Sequence, residues 1–171
     1  FTIQKLTISN DWDALENFLL TKTEVGTSEF RPYYLLAANA LYRQNKPQKA
    51  MDYIAQCNLE EFDFENKPAD QLFYSLQATA LTRLQQFDKV EALTNTFNFE
   101  IKLSELLAKR WVALYFLGKK DLASHELTNY YALKSKNVSE NHITAMSVFR
   151  AAQLKGDSAY MNSVYNLYAE Y

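Results

Sequence analysis

The sequence predicts an all-α protein. Its architecture is an α-α superhelix, or solenoid, of antiparallel helix pairs, with about nine to ten helices in one domain over residues 1–171. Three observations lead there. The stretch Tyr33–Glu60 returns forty residues later as Phe73–Glu100. The copies share Tyr34 with Tyr74, Leu36 with Leu76, Ala38 with Ala78, Ala40 with Ala80, Leu41 with Leu81, Arg43 with Arg83 and Lys49 with Lys89, then Asn58 with Asn98 and Glu60 with Glu100. Self-similarity at such a period marks a repeat architecture. Second, only 3 Gly and 3 Pro punctuate 171 residues, too few for the many turns of a sheet. Third, apolar residues recur every three or four positions, the period of an amphipathic helix.

A partial pair occupies residues 1–25. Phe1–Ser9 reads as the end of a helix, Asn10 as an N-cap with Asp13 in the following first turn, and Trp12, Leu15, Phe18 and Leu19 as one apolar face ending at Gly26. The first full pair spans about 28–58. Thr27 or Ser28 caps it, Pro32 sits near its first turn, and Tyr34, Ala38 and Leu41 form the first seam. Asn45-Lys46-Pro47 turns the chain, and Ala50, Ile54 and Cys57 form the returning seam. So short a turn joins antiparallel helices, and alanines let their axes approach.

Asn58–Lys67 is an acidic connection, and Pro68 opens the second pair at about 68–98. Its seams are Tyr74, Ala78 and Leu81, then, past Gln85-Gln86, Val90, Leu93 and Phe97. The third pair, 101–134, uses Leu107, Trp111 and Leu114, a stop at Gly118, and Ala123, Leu127 and Tyr130. The fourth, 139–171, starts at Ser139 as N-cap after the polar loop Lys134–Val138. It carries Ala145, Phe149 and Ala152, turns at Gly156 and returns on Met161, Val164, Tyr165 and Tyr168.

These residues resemble the tetratricopeptide repeat, a helix pair of about 34 residues with small residues mid-helix and an Ala opening the second helix. The matching positions are Tyr34, Ala38, Leu41, Ala50 and Ile54, then Tyr74, Ala78, Leu81 and Val90. In the third pair they are Leu107, Leu114, Gly118, Ala123 and Leu127, and in the fourth Phe149, Gly156 and Tyr165. The resemblance implies a right-handed superhelix whose first helices line a concave groove. By helical spacing the groove residues are Asn39, Tyr42, Arg43, Thr79, Thr82, Arg83, Val112, Tyr115, Phe116 and Arg150, with Leu35, Ser75, Ala108, Met146 and Gln153 beside them. Arg43, Arg83 and Arg150 suit a carboxylate or acidic peptide. The family's chaperone-tail clamp is not expected. Asn39 and Lys109 fall at two of its positions, but Leu35, Leu76 and Glu105 replace the others, removing two cations and adding an anion.

Other chemistry finds little support. Net charge is −2 with no Lys/Arg block, so no nucleic-acid partner is expected. No run approaches the length of a membrane span, so no membrane insertion is expected either. His125 and His142 lack a second His at ligand spacing, and Ser124 beside His125 points away from it on a helix. Glu60, Glu61, Asp63 and Glu65 lack the Gly of a calcium loop and read as a solvated connection. Cys57 alone forms no disulfide framework and reads as packing. Asn137-Val138-Ser139 fits a glycosylation acceptor, a triplet common by chance.

The expected function is a non-enzymatic interaction module or scaffold that binds a protein segment or peptide, without cofactor or metal. The alternative is a sensor or regulatory domain that takes a peptide or small ligand. The opening Phe1 suggests a piece of a longer chain. The aromatic last helix, with Tyr165, Leu167, Tyr168 and Tyr171, suggests further chain, a partner or self-association. The compartment stays open, with the cytoplasm slightly favoured.

Overall fold

A computed structural model describes residues 2–20, 38–39, 41–55, 68–95, 104–134 and 138–170. These residues are all-α. Nine helices have defined bounds: α1 Thr2–Ile8, α2 Trp12–Leu20, α3 Pro47–Ile54, α4 Pro68–Arg83, α5 Phe87–Asn95, α6 Ser104–Phe116, α7 Lys120–Lys134, α8 Val138–Leu154 and α9 Ser158–Glu170. Residues 38–39 and 41–43 are helical as well. Gly26, Thr27, Ser28, Pro32, Tyr34, Leu35, Cys57, the acidic connection Asn58–Lys67, Phe97, Asn98, Glu100, Asn137 and Tyr171 lie outside the described residues.

One turn design recurs. Left-handed backbone stands at Asn10 (φ 55°), Asn45 (φ 61°), Gln85 (φ 57°), Gly118 (φ 77°) and Gly156 (φ 65°). Three of these turns show the paired hydrogen bonds of a Schellman cap. Asn45 N–H donates to the Tyr42 carbonyl and Lys46 N–H to that of Leu41; Gly118 and Lys119 donate to Tyr115 and Leu114; Gly156 and Asp157 donate to Gln153 and Ala152. The orphan carbonyls of the first helix are thereby satisfied, and the chain reverses within three residues. Pro47 then occupies the first turn of α3, where its missing N–H costs nothing. Asn10 is the left-handed residue of its turn, not an N-cap. Asp11 caps α2 instead, its Oδ1 accepting from the Ala14 N–H at 3.1 Å. Ser139 likewise lies inside the first turn of α8, which begins at Val138.

Burial follows these turns. Counted from the left-handed residue, the fifth and ninth positions of the returning helix are buried after four of these turns: Leu15 and Leu19, Ala50 and Ile54, Val90 and Thr94, Ala123 and Leu127. The fourth position before it is buried as Leu41, Leu81, Leu114 and Ala152. The seam of α5 therefore runs through Thr94, fully buried, while Leu93 is half-buried. In α9 the pattern moves by one residue. Tyr160 and Val164 are buried, and Tyr165, expected in the seam, is 62% exposed.

The chain divides into two compact units, residues 1–84 and 85–171, a boundary that falls within the predicted pair 68–98. In the first, α1 packs on α2 and α3 on α4. Ala38, Leu41, Ala50, Ile54 and Phe73 form one cluster, Leu15 and Leu19 another, and the half-buried Tyr53 packs on both. In the second, α6 packs on α5, α7 and α8, and α8 packs on α9. Its core is centred on Trp111, Leu114, Leu127, Tyr131 and Val148. Each unit also carries an ion pair from the residue after a turn back to an earlier returning helix: Lys46 Nζ lies 3.8 Å from Glu16 of α2, and Lys119 Nζ 2.7 Å from Glu91 of α5. Among the described residues no helix is long and apolar enough to cross a membrane.

Candidate functional site

In the first unit, helical spacing places Asn39, Tyr42, Arg43, Thr79, Thr82 and Arg83 off the seams. Asn39, Tyr42, Thr79 and Thr82 are half-buried, and Arg43 and Arg83 are exposed. Two of them meet. The Arg83 guanidinium lies over the Tyr42 ring, 4.3 Å from its centroid, and its Nη1 donates to Asn45 Oδ1 at 3.2 Å. The stack orients the guanidinium and leaves it accessible, an arrangement suited to a carboxylate. The Thr79 and Thr82 hydroxyls donate back to the Ser75 and Ala78 carbonyls at 2.7 Å each, so those protons are committed to their own helix.

In the second unit the expectation needs correcting for three residues. Ala108, Val112 and Tyr115, expected at a groove, are 2%, 9% and 4% exposed and are buried in the fold. The reason is that α6 is covered by α5, α7 and α8, so almost its whole circumference is buried. Phe116 is half-buried and Arg150 exposed.

Tyr115 and Phe116 nevertheless border an open pocket of about 510 Å³, lined also by Gly118, Lys120, Lys155 and Asp157. It lies where the α6–α7 turn meets the α8–α9 turn. Asp157 is held there by three donors. Its Oδ1 accepts the Tyr160 N–H at 3.1 Å, capping α9, and its Oδ2 accepts the Tyr115 hydroxyl at 3.2 Å and the Lys120 ammonium. The Lys120 hydrogen bond, followed by the Tyr160 N–H, holds the Asp157 carboxyl below its ordinary range. The same bond raises Lys120. Burial first, then the Asp157 contact, pushes the Tyr115 phenol up. Lys120 also lies 5.3 Å from the Tyr115 ring centroid, and Lys155 lies 5.3 Å from that of Phe116.

Sequence spacing did not single out Arg110. Its side chain is 7% exposed and spans three helices. Nε and Nη2 bond both carboxylate oxygens of Glu126 at 2.8 and 2.7 Å, and Nη1 donates to Thr94 Oγ1 at 3.1 Å and Asn95 Oδ1 at 2.6 Å. Every guanidinium nitrogen is engaged, so this buried charge is structural. His125 touches Asn129, His142 meets Tyr168 edge-on, and both are exposed. Among the described residues no three His, Cys, Asp or Glu side chains converge as a metal site.

No family model, curated protein or solved structure matches the chain.

Proposed function

We propose that this chain is a non-enzymatic interaction module: a tetratricopeptide-like array that holds a protein segment or peptide against the first helices of its pairs. The observation that carries this reading is the recurrence of one hairpin. Residues 41–55 and 81–95 are buried, half-buried and exposed alike at every position and follow the same left-handed turn. Neighbour-on-neighbour stacking supports it as well, since α6 lies against both a preceding returning helix, α5, and the next first helix, α8. In such an array the solvent-facing residues of the first helices meet the ligand; in the first unit these include Arg43 and Arg83 with its Tyr42 stack, and in the second Arg150. Exposed guanidiniums favour an acidic or carboxylate-bearing partner.

The test is affinity capture from native extract with the full chain as bait, alongside the Arg43→Glu/Arg83→Glu variant. Both arginines are exposed, so the variant should still fold, with a small fall in melting temperature from loss of the Arg83 contacts with Tyr42 and Asn45. A protein retained by the parent and lost by the folded variant is the expected result. A partner held equally by both would place the contact elsewhere, and no retained protein would turn the reading to a ligand-sensing domain.

A further inference from the structure

We propose that the pocket at the α6–α7 and α8–α9 turns binds an acidic peptide segment in which a carboxylate side chain neighbours an apolar or aromatic one. This names a second contact of the interaction module and rests on that reading only in taking a peptide as ligand. The argument begins with charge. The one carboxylate lining the pocket, Asp157, is matched by Lys120 and holds two further donors, so it offers little to a cation. Lys119, next to the pocket, is matched by Glu91. Lys155 has no acidic partner among the described residues and is exposed. The uncommitted charge of the pocket is therefore one ammonium.

The rest of the lining is aromatic and fixed in place. Phe116 stacks on Phe87 with centroids 4.5 Å apart and planes within 6°, and Tyr115 stacks on Tyr160 at 5.0 Å. Both rings are thus oriented before any ligand arrives, which lowers the ordering cost of binding. At Gly118 a Cβ would meet nothing within 4 Å, so that rim is open to an entering chain. A volume of about 510 Å³ lies within the ordinary range for ligand pockets. One free ammonium above an aromatic floor suits a monoanionic carboxylate attached to an apolar group. It is poorly matched to phosphate, whose second charge would find no cation and whose oxygens would face the rings.

The probe is a synthetic peptide, acetyl-SEFDLE-amide, titrated into the ¹⁵N-labelled full chain. Amide shifts should saturate at residues 115–120 and 153–160. The charge-free peptide acetyl-SQFNLQ-amide should bind about two- to fivefold more weakly, and so should the acidic peptide to Lys155→Glu. Lys155→Gln, the gentler change should charge reversal disturb folding, should weaken binding in the same direction. Arg43→Glu/Arg83→Glu should leave these shifts unchanged. The proposal is overturned by absence of saturable shifts at those residues, by equal binding of the two peptides, or by inorganic phosphate displacing the peptide at equal concentration. Loss of this site with a captured partner still sensitive to Arg43 and Arg83 would leave the module reading standing.

Discussion

Residues 41–55 and 81–95 reach the same turn and the same burial from sequences that share only Leu41 with Leu81, Arg43 with Arg83 and Lys49 with Lys89. They differ at the end of the returning helix. The first copy closes with Ile54 and Ala55, and Ile54 sits in an apolar cluster. The second closes with Thr94 and Asn95, whose side-chain oxygens accept from the buried Arg110. The repeat dictates which positions are buried and leaves open how each is filled. One seam is held by area removed from water, the other by a fully bonded ion pair.

The largest effect should come from a position the two copies treat identically. Ala38 and Ala78 are both fully buried. Ala78→Arg forces a long charged chain into a closed seam and should cost more than about 4 kcal/mol, enough to abolish cooperative thermal melting. An unchanged melt would show that this seam is not where the fold places it.

Next comes the polar seam. Arg110→Ala leaves Glu126, only 9% exposed at its side chain, without a counter-charge. Urea denaturation should show a loss of about 3–5 kcal/mol, whereas Arg110→Met with Glu126→Leu should be close to neutral. If the single and double variants were equally destabilised, packing rather than charge would explain the seam.

The cores also differ in tyrosine. The second unit buries Tyr115, Tyr130, Tyr131 and Tyr160, and among the described residues the first buries none. Burial pushes the Tyr131 phenol up to about 12. The phenol of the unfolded chain ionises near its ordinary value of 10.0, so the folded state holds the proton more tightly between these pH values. This contribution to stability is complete below pH 10 and falls on the order of 2 kcal/mol as pH rises toward 12. Alkaline unfolding should therefore begin in residues 85–171, followed by phenolate absorbance in Tyr131→Phe and the parent. Identical profiles would assign the loss to other groups.

The smallest effect separates the turns. Gly118 and Gly156 hold left-handed backbone without strain, whereas Gln85 does so with a Cβ. Gln85→Gly should stabilise by about 0.5–1 kcal/mol and Asn45→Gly by less, because Asn tolerates this region better and its Oδ1 accepts from Arg83. Destabilisation by Gln85→Gly would mean the side chain contributes more than its backbone costs.

Much of the fold was legible because its punctuation is chemical. Gly118 and Gly156 mark turns that few residue types fill well, Pro47 and Pro68 each open a helix, and the forty-residue repeat aligns the seams. The structure departs where a residue acts against its average character. Thr94 reads as polar surface yet is buried, because its hydroxyl donates to its own helix at Val90 and Glu91 and accepts from Arg110. Arg110 reads as an exposed helix residue until Glu126, sixteen positions on, is folded against it. Of the candidate binding residues, Tyr42 with Arg83 and Tyr115 with Phe116 come together, while Val112 is covered by neighbouring helices. Lys155 and Asp157 were passed over because only the α8–α9 turn brings them to Tyr115 and Phe116. Gly156-Asp157 ahead of an apolar run was the available signal, a stop followed by an N-cap.

The claim that one turn design recurs among the described residues is tested most directly by backbone chemical shifts and HN–Hα couplings of the labelled protein. The account predicts positive φ at Asn10, Asn45, Gln85, Gly118 and Gly156, with helical shifts on both sides of each. Negative φ at Asn45 and Gln85, where no glycine imposes the turn, would contradict it. The repeated seams and the binding surfaces built on them would then have to be redrawn.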